Sequence, residues 1–252
     1  MIPDQEAVLE IAEVTKRYRP GDPPALDRFG IEVRRGEIVG LLGPNGAGKT
    51  TAISIISTLL SPDDGEVRVN GTDAVEHPRK VRSMMGVVPQ ELALYEELTA
   101  RENLVFFGRL YGMGGKELEK AVESSLETTG LSESGDKRVA HFSGGMKRRA
   151  NLAAGILHHP GLLLLDEPTV GIDAQSRNLI LERLRSMIGD DTAMLYTTHY
   201  MEEAEKLCDR VVILDEGRCI ASGSPGALLA EHADCGDLGE LFLSMTGKKL
   251  RD

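Results

Sequence analysis

One stretch limits what this chain can fold into: Gly43-Pro44-Asn45-Gly46-Ala47-Gly48-Lys49-Thr50. The apolar run Ile38-Val39-Gly40-Leu41-Leu42 leads into it, and the helix-like run Thr51-Ala52-Ile53-Ser54-Ile55-Ile56 leaves it. This is G-x-x-x-x-G-K-[ST] between a strand and a helix, the setting that gives the pattern meaning. A chain of phosphates is held by many inward-pointing backbone N–H groups, and glycine lets the main chain come that close. The helix start adds unpaired donors and the positive end of its dipole. The Lys49 ammonium suits the outer phosphates, and the Thr50 hydroxyl suits Mg²⁺.

A length of 252 residues allows one large domain, or a domain with a subdomain and a tail. The 41% of hydrophobic residues is enough for a core, and the net charge of -11 argues against a nucleic-acid-binding surface. The basic cluster Lys147-Arg148-Arg149 is expected to be the solvated, phosphate-near start of a helix. Cys208, Cys219 and Cys235 are odd in number and lack C-x-x-C spacing, so reduced, buried thiols are expected, with neither a disulfide framework nor a zinc site. The acidic N-terminus does not resemble a signal peptide. No apolar run approaches the roughly 20 residues of a spanning helix. A soluble chain is expected, with any membrane role carried through a partner.

Alternation marks short strands at 8–14, 30–33 and 66–71, with the turn-rich link Pro20-Gly21-Asp22-Pro23-Pro24 between the first two. Their clustering predicts a small antiparallel sheet beside an α/β core. A short helix is expected at 78–85 and a buried strand from Gly86 to Gln90. Helical pattern from Thr99, a candidate N-cap, to about Thr129, with breaks at Gly112, Gly114 and Gly115, predicts an inserted helical subdomain. A helix from Met146 to about His158, closed by Pro160, follows Ser143-Gly144-Gly145; the pair His158-His159 lies at its end and is not a metal site. The apolar strands Leu162–Leu165, Met194–Tyr196 and Val211–Leu214 alternate with helices at 174–188 and 201–207, which favours a parallel sheet.

The chemistry collects at strand ends. Leu162-Leu163-Leu164-Leu165 runs into Asp166 and Glu167. One carboxylate near a metal and one free suit a site that activates water. Ser143-Gly144-Gly145 is a second glycine-rich entry to a helix, able to meet phosphate.

In this order the motifs resemble the nucleotide-binding subunit of an ATP-binding cassette (ABC) transporter over residues 8–225. Gly43–Thr50 resembles the Walker A loop and Leu162–Glu167 the Walker B strand. Phe142–Met146 is similar to the family signature, with Phe and Met for the commonest Leu and Gln. Gln90 resembles the Q-loop, Gly171-Ile172-Asp173 the D-loop and His199 the H-loop, while Tyr18 matches the aromatic that stacks on adenine. The resemblance implies a phosphate-loop fold. It also implies two subunits, most simply identical, paired head to tail with each ATP between one Walker A loop and the other signature. Lys49 and the backbone of Gly43, Asn45, Gly46, Ala47, Gly48, Thr50 and Thr51 would then hold the phosphates. Thr50 and Gln90 would ligate Mg²⁺, with Asp166 reaching it through water. Glu167 would polarise the attacking water and His199 would contact the γ-phosphate. Ser143, Gly144, Gly145 and Asp173 would serve the partner's nucleotide.

The runs Ser143–Arg149, Thr169–Asp173, Tyr196–Glu205 and Leu238–Lys248 resemble the drug and polysaccharide exporter branch, in which an integral membrane permease is a separate polypeptide. The resemblance places the chain in the cytoplasm, on the inner face of the cell membrane through that permease. It divides the chain into an ATP-binding domain at 1–226, with helices inserted at about 91–158, and a short, helical C-terminal tail at 227–252. Leu238, Leu241, Phe242 and Met245 have helix spacing for packing on the core or on a twin, and no regulatory role is expected of the tail. A non-transport ATPase acting on nucleic acid or ribosomes is the alternative. It is disfavoured because a long heptad insertion and a second cassette are missing and the chain is acidic. A phosphate-loop kinase would leave the signature and His199 without a task.

Overall fold

The computed structural model describes residues 6–189 and 191–247. The N-terminal residues 1–5 and residues 248–252 of the tail, both read above, lie outside the described residues. The strands are β1 (Ala7–Lys16), β2 (Leu26–Arg34), β3 (Ile38–Leu42), β4 (Asp64–Val69), β5 (Thr72–Asp73), β6 (Met85–Val88), β7 (Leu162–Asp166), β8 (Ala193–Thr198), β9 (Arg210–Asp215) and β10 (Arg218–Gly223). They form an antiparallel sheet in the order β2-β1-β4-β5 and a second sheet in the order β10-β9-β3-β8-β7-β6. In the second sheet every pairing is parallel except that of the edge strand β10 with β9.

The two sheets differ in sequence for a physical reason. β3, β7 and β8 are buried along their whole length, because helices cover both faces of a parallel sheet and leave no polar side. β2 alternates buried and exposed positions toward its end, as a sheet with one wet face requires. α1 (Lys49–Ile56) and the antiparallel sheet share one core with one face of the parallel sheet, including Ile53, Ile56, Leu162, Leu164 and Leu195. The opposite face packs Leu163, Leu165 and Met194 against α6 (Ala174–Met187), α7 (Met201–Leu207) and α9 (Leu238–Thr246). Each buried leucine of β7 contributes about 1.5–3 kcal/mol.

The inserted helices have a core of their own. α3 (Ala100–Leu110), α4 (Gly115–Thr128) and α5 (Gly144–Ile156) enclose Leu104, Leu118, Leu126, Ala153 and Leu157. Thr99 caps α3 as anticipated, in a capping box with Glu102. The helical pattern breaks where Gly112 and Gly114 stand, between α3 and α4, and Gly115 is the first residue of α4, with Gly114 as its cap. α5 stops before Pro160 is reached, at Ile156, and His159 then turns left-handed at φ 52°. α2 (Pro78–Arg82) is shorter than the helical pattern, because Met85 already pairs with Leu162 in the sheet.

β10 carries no strong pattern and was not anticipated, while α8 (Pro225–Glu231) opens the tail expected to be helical, two residues before residue 227. Three of the four tail residues with helix spacing, Leu238, Leu241 and Phe242, are wholly buried on this chain's own core, whereas Met245 stays exposed. The Leu238 N–H donates to Glu205 Oε1 at 2.7 Å, fixing the start of α9 on α7. All three thiols are free, as expected, but only Cys208 is fully buried; Cys219, on the exposed edge strand β10, is exposed, and Cys235 is half-buried against the core.

Candidate nucleotide-hydrolysis site

In a parallel α/β sheet, loops beyond the carboxyl ends of the strands form the ligand crevice. Here β3, β8, β7 and β6 are consecutive neighbours, and each delivers a site residue just past its end: Gly43 and its loop, His199, Glu167 and Gln90.

The loop after β3 is pressed into place by its glycines. A Cβ on Gly43 would lie 2.3 Å from the Leu214 carbonyl oxygen, and one on Gly48 2.5 Å from that of Ala25. Gly48 caps α1 at φ 113°, a left-handed conformation, and offers no side-chain partner to the first helical N–H groups. Those donors, with exposed Asn45, Gly46 and Thr50 beside them, form an anion cradle. The buried Ala47 carbonyl accepts from the Gly217 N–H at 2.9 Å. The Lys49 ammonium donates to the carbonyls of Gly43 at 2.7 Å and Pro44 at 3.1 Å. Tyr18 holds its hydroxyl 3.0 Å from Thr51 Oγ1 while 61% of the residue remains exposed, so the ring face is open at the edge of the cradle.

Glu167 is the meeting point. Its carboxylate lies 3.3 Å from Lys49 Nζ, accepts from Gln90 Nε2 at 3.3 Å, and lies 3.2 Å from His199 Nδ1. That imidazole nitrogen is within ion-pair distance but out of line for a hydrogen bond, and it is buried without another partner. Glu167 itself adopts φ 46°, left-handed for a non-glycine residue; such a conformation is held by its surroundings. Here the Thr197 hydroxyl and carbonyl both accept from the Glu167 N–H, at 3.0 and 3.2 Å. The same hydroxyl donates to Asp166 Oδ1 at 2.7 Å, so one threonine of β8 sets both acids. The sequence did not single out Thr197, because a threonine inside a buried strand carries no pattern of its own.

Ser143, Gly144, Gly145 and Asp173 are not part of that cluster. Ser143 caps α5 by accepting from the Met146 N–H at 3.2 Å, and Asp173 caps α6 through the Ser176 N–H at 2.9 Å. The Ser176 N–H and hydroxyl also hold the Asp173 carboxyl below the usual range. The two helix starts touch: a Cβ on Gly145 would sit 2.3 Å from Ser176 Oγ. They form a second surface, separate from the Glu167 cluster.

The basic cluster after Gly145 corrects the sequence reading. Lys147, Arg148 and Arg149 are half-buried and spoken for. Lys147 pairs with Glu96, and Arg149 donates to the Gly130 carbonyl at 2.8 Å. Arg148 donates to the Gln90 carbonyl and, at 3.0 Å, to that of Val170. Asn151, one turn on, donates to the Pro89 carbonyl at 3.2 Å and accepts from the Ala93 N–H at 3.2 Å. Helix α5 thus grips the segment around Gln90 from both sides, a role that neither residue's type announces. His158 stacks on Tyr111, ring centroids 3.7 Å apart, as a helix-end packing residue.

A glycine cradle at a helix start, a lysine inside it and a carboxylate shared by Lys49, Gln90 and His199 define a phosphate-loop nucleoside triphosphatase. The particular family follows from residues 26–170, which match the family model described as ABC transporter: the chain belongs to that family and is an ATPase. It is 44% identical over 237 residues to the Nod factor export ATP-binding protein I of Paraburkholderia xenovorans (strain LB400), covering 94% of this chain and 77% of that one. It is 46% identical over 217 residues to the linearmycin resistance ATP-binding protein LnrL of Bacillus subtilis (strain 168), covering 86% of this chain and 69% of that one. Among solved structures, an ATP-binding subunit of an ABC transporter superposes with TM-score 0.84 at 32% identity, covering 95% of this chain and 99% of that one. A dimeric ATP-binding cassette in a post-hydrolysis state, bound to ADP and Pi, superposes with TM-score 0.75 at 27% identity, covering 86% of this chain and 98% of that one.

Proposed function

We propose that the chain is the ATP-hydrolysing subunit of an exporter whose membrane-spanning permease is a separate polypeptide, and that two copies close head to tail around ATP. The observation that carries this is the split between two anion-facing surfaces. Lys49, Gln90, His199 and Glu167 meet in one cluster, while Ser143–Gly145 stand apart beside Asp173. A second copy brings the second surface to the first. Names that speak of export and of drug resistance among the relatives, and the dimeric cassette among the structures, support the reading.

In this reading Tyr18 stacks on the adenine. Lys49 and the N–H groups of Gly43, Asn45, Gly46, Ala47, Gly48, Thr50 and Thr51 hold the phosphates. Glu167 takes a proton from the attacking water, and His199 orients the γ-phosphate. Ser143, Gly144, Gly145 and Asp173 face the twin's nucleotide. The oxygen donors Thr50, Asp166 and Gln90 suit a hard cation that keeps most of its ligands from phosphate and water. Bound there, Mg²⁺ supplies charge neutralisation at the outer phosphates.

Among the described residues no helix is long and apolar enough to cross a membrane. The export and drug-resistance names of the relatives support placing the chain at the inner membrane face through its permease. An apolar groove of about 470 Å³ lined by Leu59, Arg82, Met85, Val87, Leu110 and Tyr111 lies between core and inserted helices and suits a permease segment. We keep the division at residue 226, with the inserted helices at about 91–158, as part of this proposal. Purified Glu167→Gln protein with ATP and Mg²⁺ is expected to elute at twice the monomer mass by size exclusion with light scattering. Persistence as a monomer, even with the permease present, would overturn the reading.

A further inference from the structure

Behind the hydrolysis cluster lies a carboxylate that the chemistry above does not use. Glu203, on α7, is 2% exposed. It accepts from the Tyr196 hydroxyl at 2.5 Å, from Thr169 Oγ1 at 2.8 and 2.9 Å, and from Thr198 Oγ1 at 3.1 Å. Arg177 Nε of α6 lies 3.2 Å away. The other buried residues of α7, Met201, Ala204 and Leu207, are apolar. A buried anion is costly to desolvate, and an apolar side chain is often at least as stable in such a place. Packing alone therefore does not account for a glutamate here.

The Thr198 hydroxyl has one proton and donates it in a hydrogen bond to Glu203. Its lone pairs are then turned to the Tyr200 N–H, which donates to Thr198 Oγ1 at 2.9 Å. Thr198 and Tyr200 flank His199, so this chain of two hydrogen bonds closes the turn that carries the imidazole. The ring cannot be aimed by hydrogen bonding at Nδ1, because that atom has no aligned partner. Its direction comes from its backbone and from Tyr200, whose ring centroid is 4.2 Å from that of His199. Tyr200 is in turn covered by the Arg177 guanidinium, 4.5 Å from its centroid. Arg177 thus touches both ends of the same clamp.

We propose that Glu203 is a positioning residue for His199, acting through the Thr198 hydroxyl, with Arg177 linking the clamp to the helix that Asp173 caps. The inference rests on the reading of His199 as the γ-phosphate contact. Glu203 does not touch nucleotide. It sets the proton direction of one hydroxyl and through it the turn that presents the imidazole.

The test is ATP hydrolysis by the full chain, steady-state and single-turnover, with ATP binding measured separately. Thr198→Val keeps the shape and removes the hydroxyl; Thr198→Ser keeps the hydroxyl. Thr198→Val and Glu203→Gln are expected to lower kcat by about tenfold with KM for ATP nearly unchanged, the worth of one well-placed hydrogen bond. Thr198→Ser is expected to restore most of the rate. On a His199→Ala background, Thr198→Val is expected to cost nothing more, since the clamp then has nothing to aim. Wild-type kcat in Thr198→Val, or an equal further loss on the His199→Ala background, overturns the proposal. Thr198→Val covers the case in which Glu203→Gln fails to fold. Full activity in His199→Ala alone would instead sink the reading of His199, and this inference with it.

Discussion

The Lys49 ammonium and Glu167 Oε1 lie 3.3 Å apart, with both side chains buried. The two groups therefore balance each other's charge, one proposed above to hold phosphate and the other to take a proton from water. Glu167→Gln removes the anion but keeps the shape, and leaves Lys49 its two loop carbonyls. We expect ATP binding at least as tight as in the wild type and kcat lower by about 100-fold or more, the range for loss of a general base. Fluorescent-nucleotide titration and phosphate release measure the two separately; equal loss in both would mean the carboxylate serves binding.

Tyr18 is tethered at its hydroxyl and bare on its ring. Tyr18→Ala is expected to raise the KM for ATP about tenfold, from the roughly 1–3 kcal/mol of base–aromatic stacking, with little change in kcat. Tyr18→Phe should bind ATP almost as the wild type does. A variant with no preference between ATP and a ring-free triphosphate, where the wild type has one, would confirm the stacking in a competition assay.

Gly145 leaves no room for a methyl group against Ser176, whose Oγ and Cβ would lie 2.3 and 2.6 Å from it. Gly145→Ala is expected to cost about 1–3 kcal/mol by overpacking and to lower activity. Gly145→Ala with Ser176→Gly should recover stability in a denaturant melt. Failure to recover would mean that the glycine is needed for something other than space.

Burial raises the Cys208 thiol far above its ordinary range, and its sulfur occupies the space in which a Cβ on Gly40 would sit, 2.8 Å away. A protonated thiol is a poor nucleophile. Burial raises the Cys219 thiol too, but that residue is exposed, so iodoacetamide should label Cys219 in the folded protein at alkaline pH and reach Cys208 only on unfolding, as peptide mass mapping would show. The folded state keeps this proton, whereas the unfolded chain releases it above about pH 8.5. The thiol's contribution to stability is complete below that pH and is lost as the pH rises beyond it.

Much of this molecule was legible because its main sheet is buried on both sides. Leu162–Leu165 and Met194–Tyr196 are apolar without interruption, and the loops that follow them hold the acids and the imidazole. The phosphate loop was legible because its backbone tolerates few side chains. β10 was not, since an edge strand that is mostly exposed has no face to pattern. Arg148, Asn151 and Thr197 were missed for another reason. Each acts on main-chain atoms of a segment distant in the chain, carbonyls for Arg148 and Asn151 and an N–H for Thr197, and a backbone group looks the same whatever residue bears it. Glu203 sits in a helix rich in exposed acids, so its burial is a product of tertiary packing alone.

The strand order has a consequence for synthesis on the ribosome. β8 slots between β3 and β7, although both precede it in the chain. Until Ala193–Thr198 has emerged, the two halves of the crevice have no shared neighbour, and Thr197 is not there to orient Asp166 and Glu167. The phosphate-gripping loop waits as well, because the neighbours of β3 are β8 and β9, and Leu214 and Gly217 brace the loop. A nascent chain thus stays unable to hydrolyse anything until these late strands have threaded home.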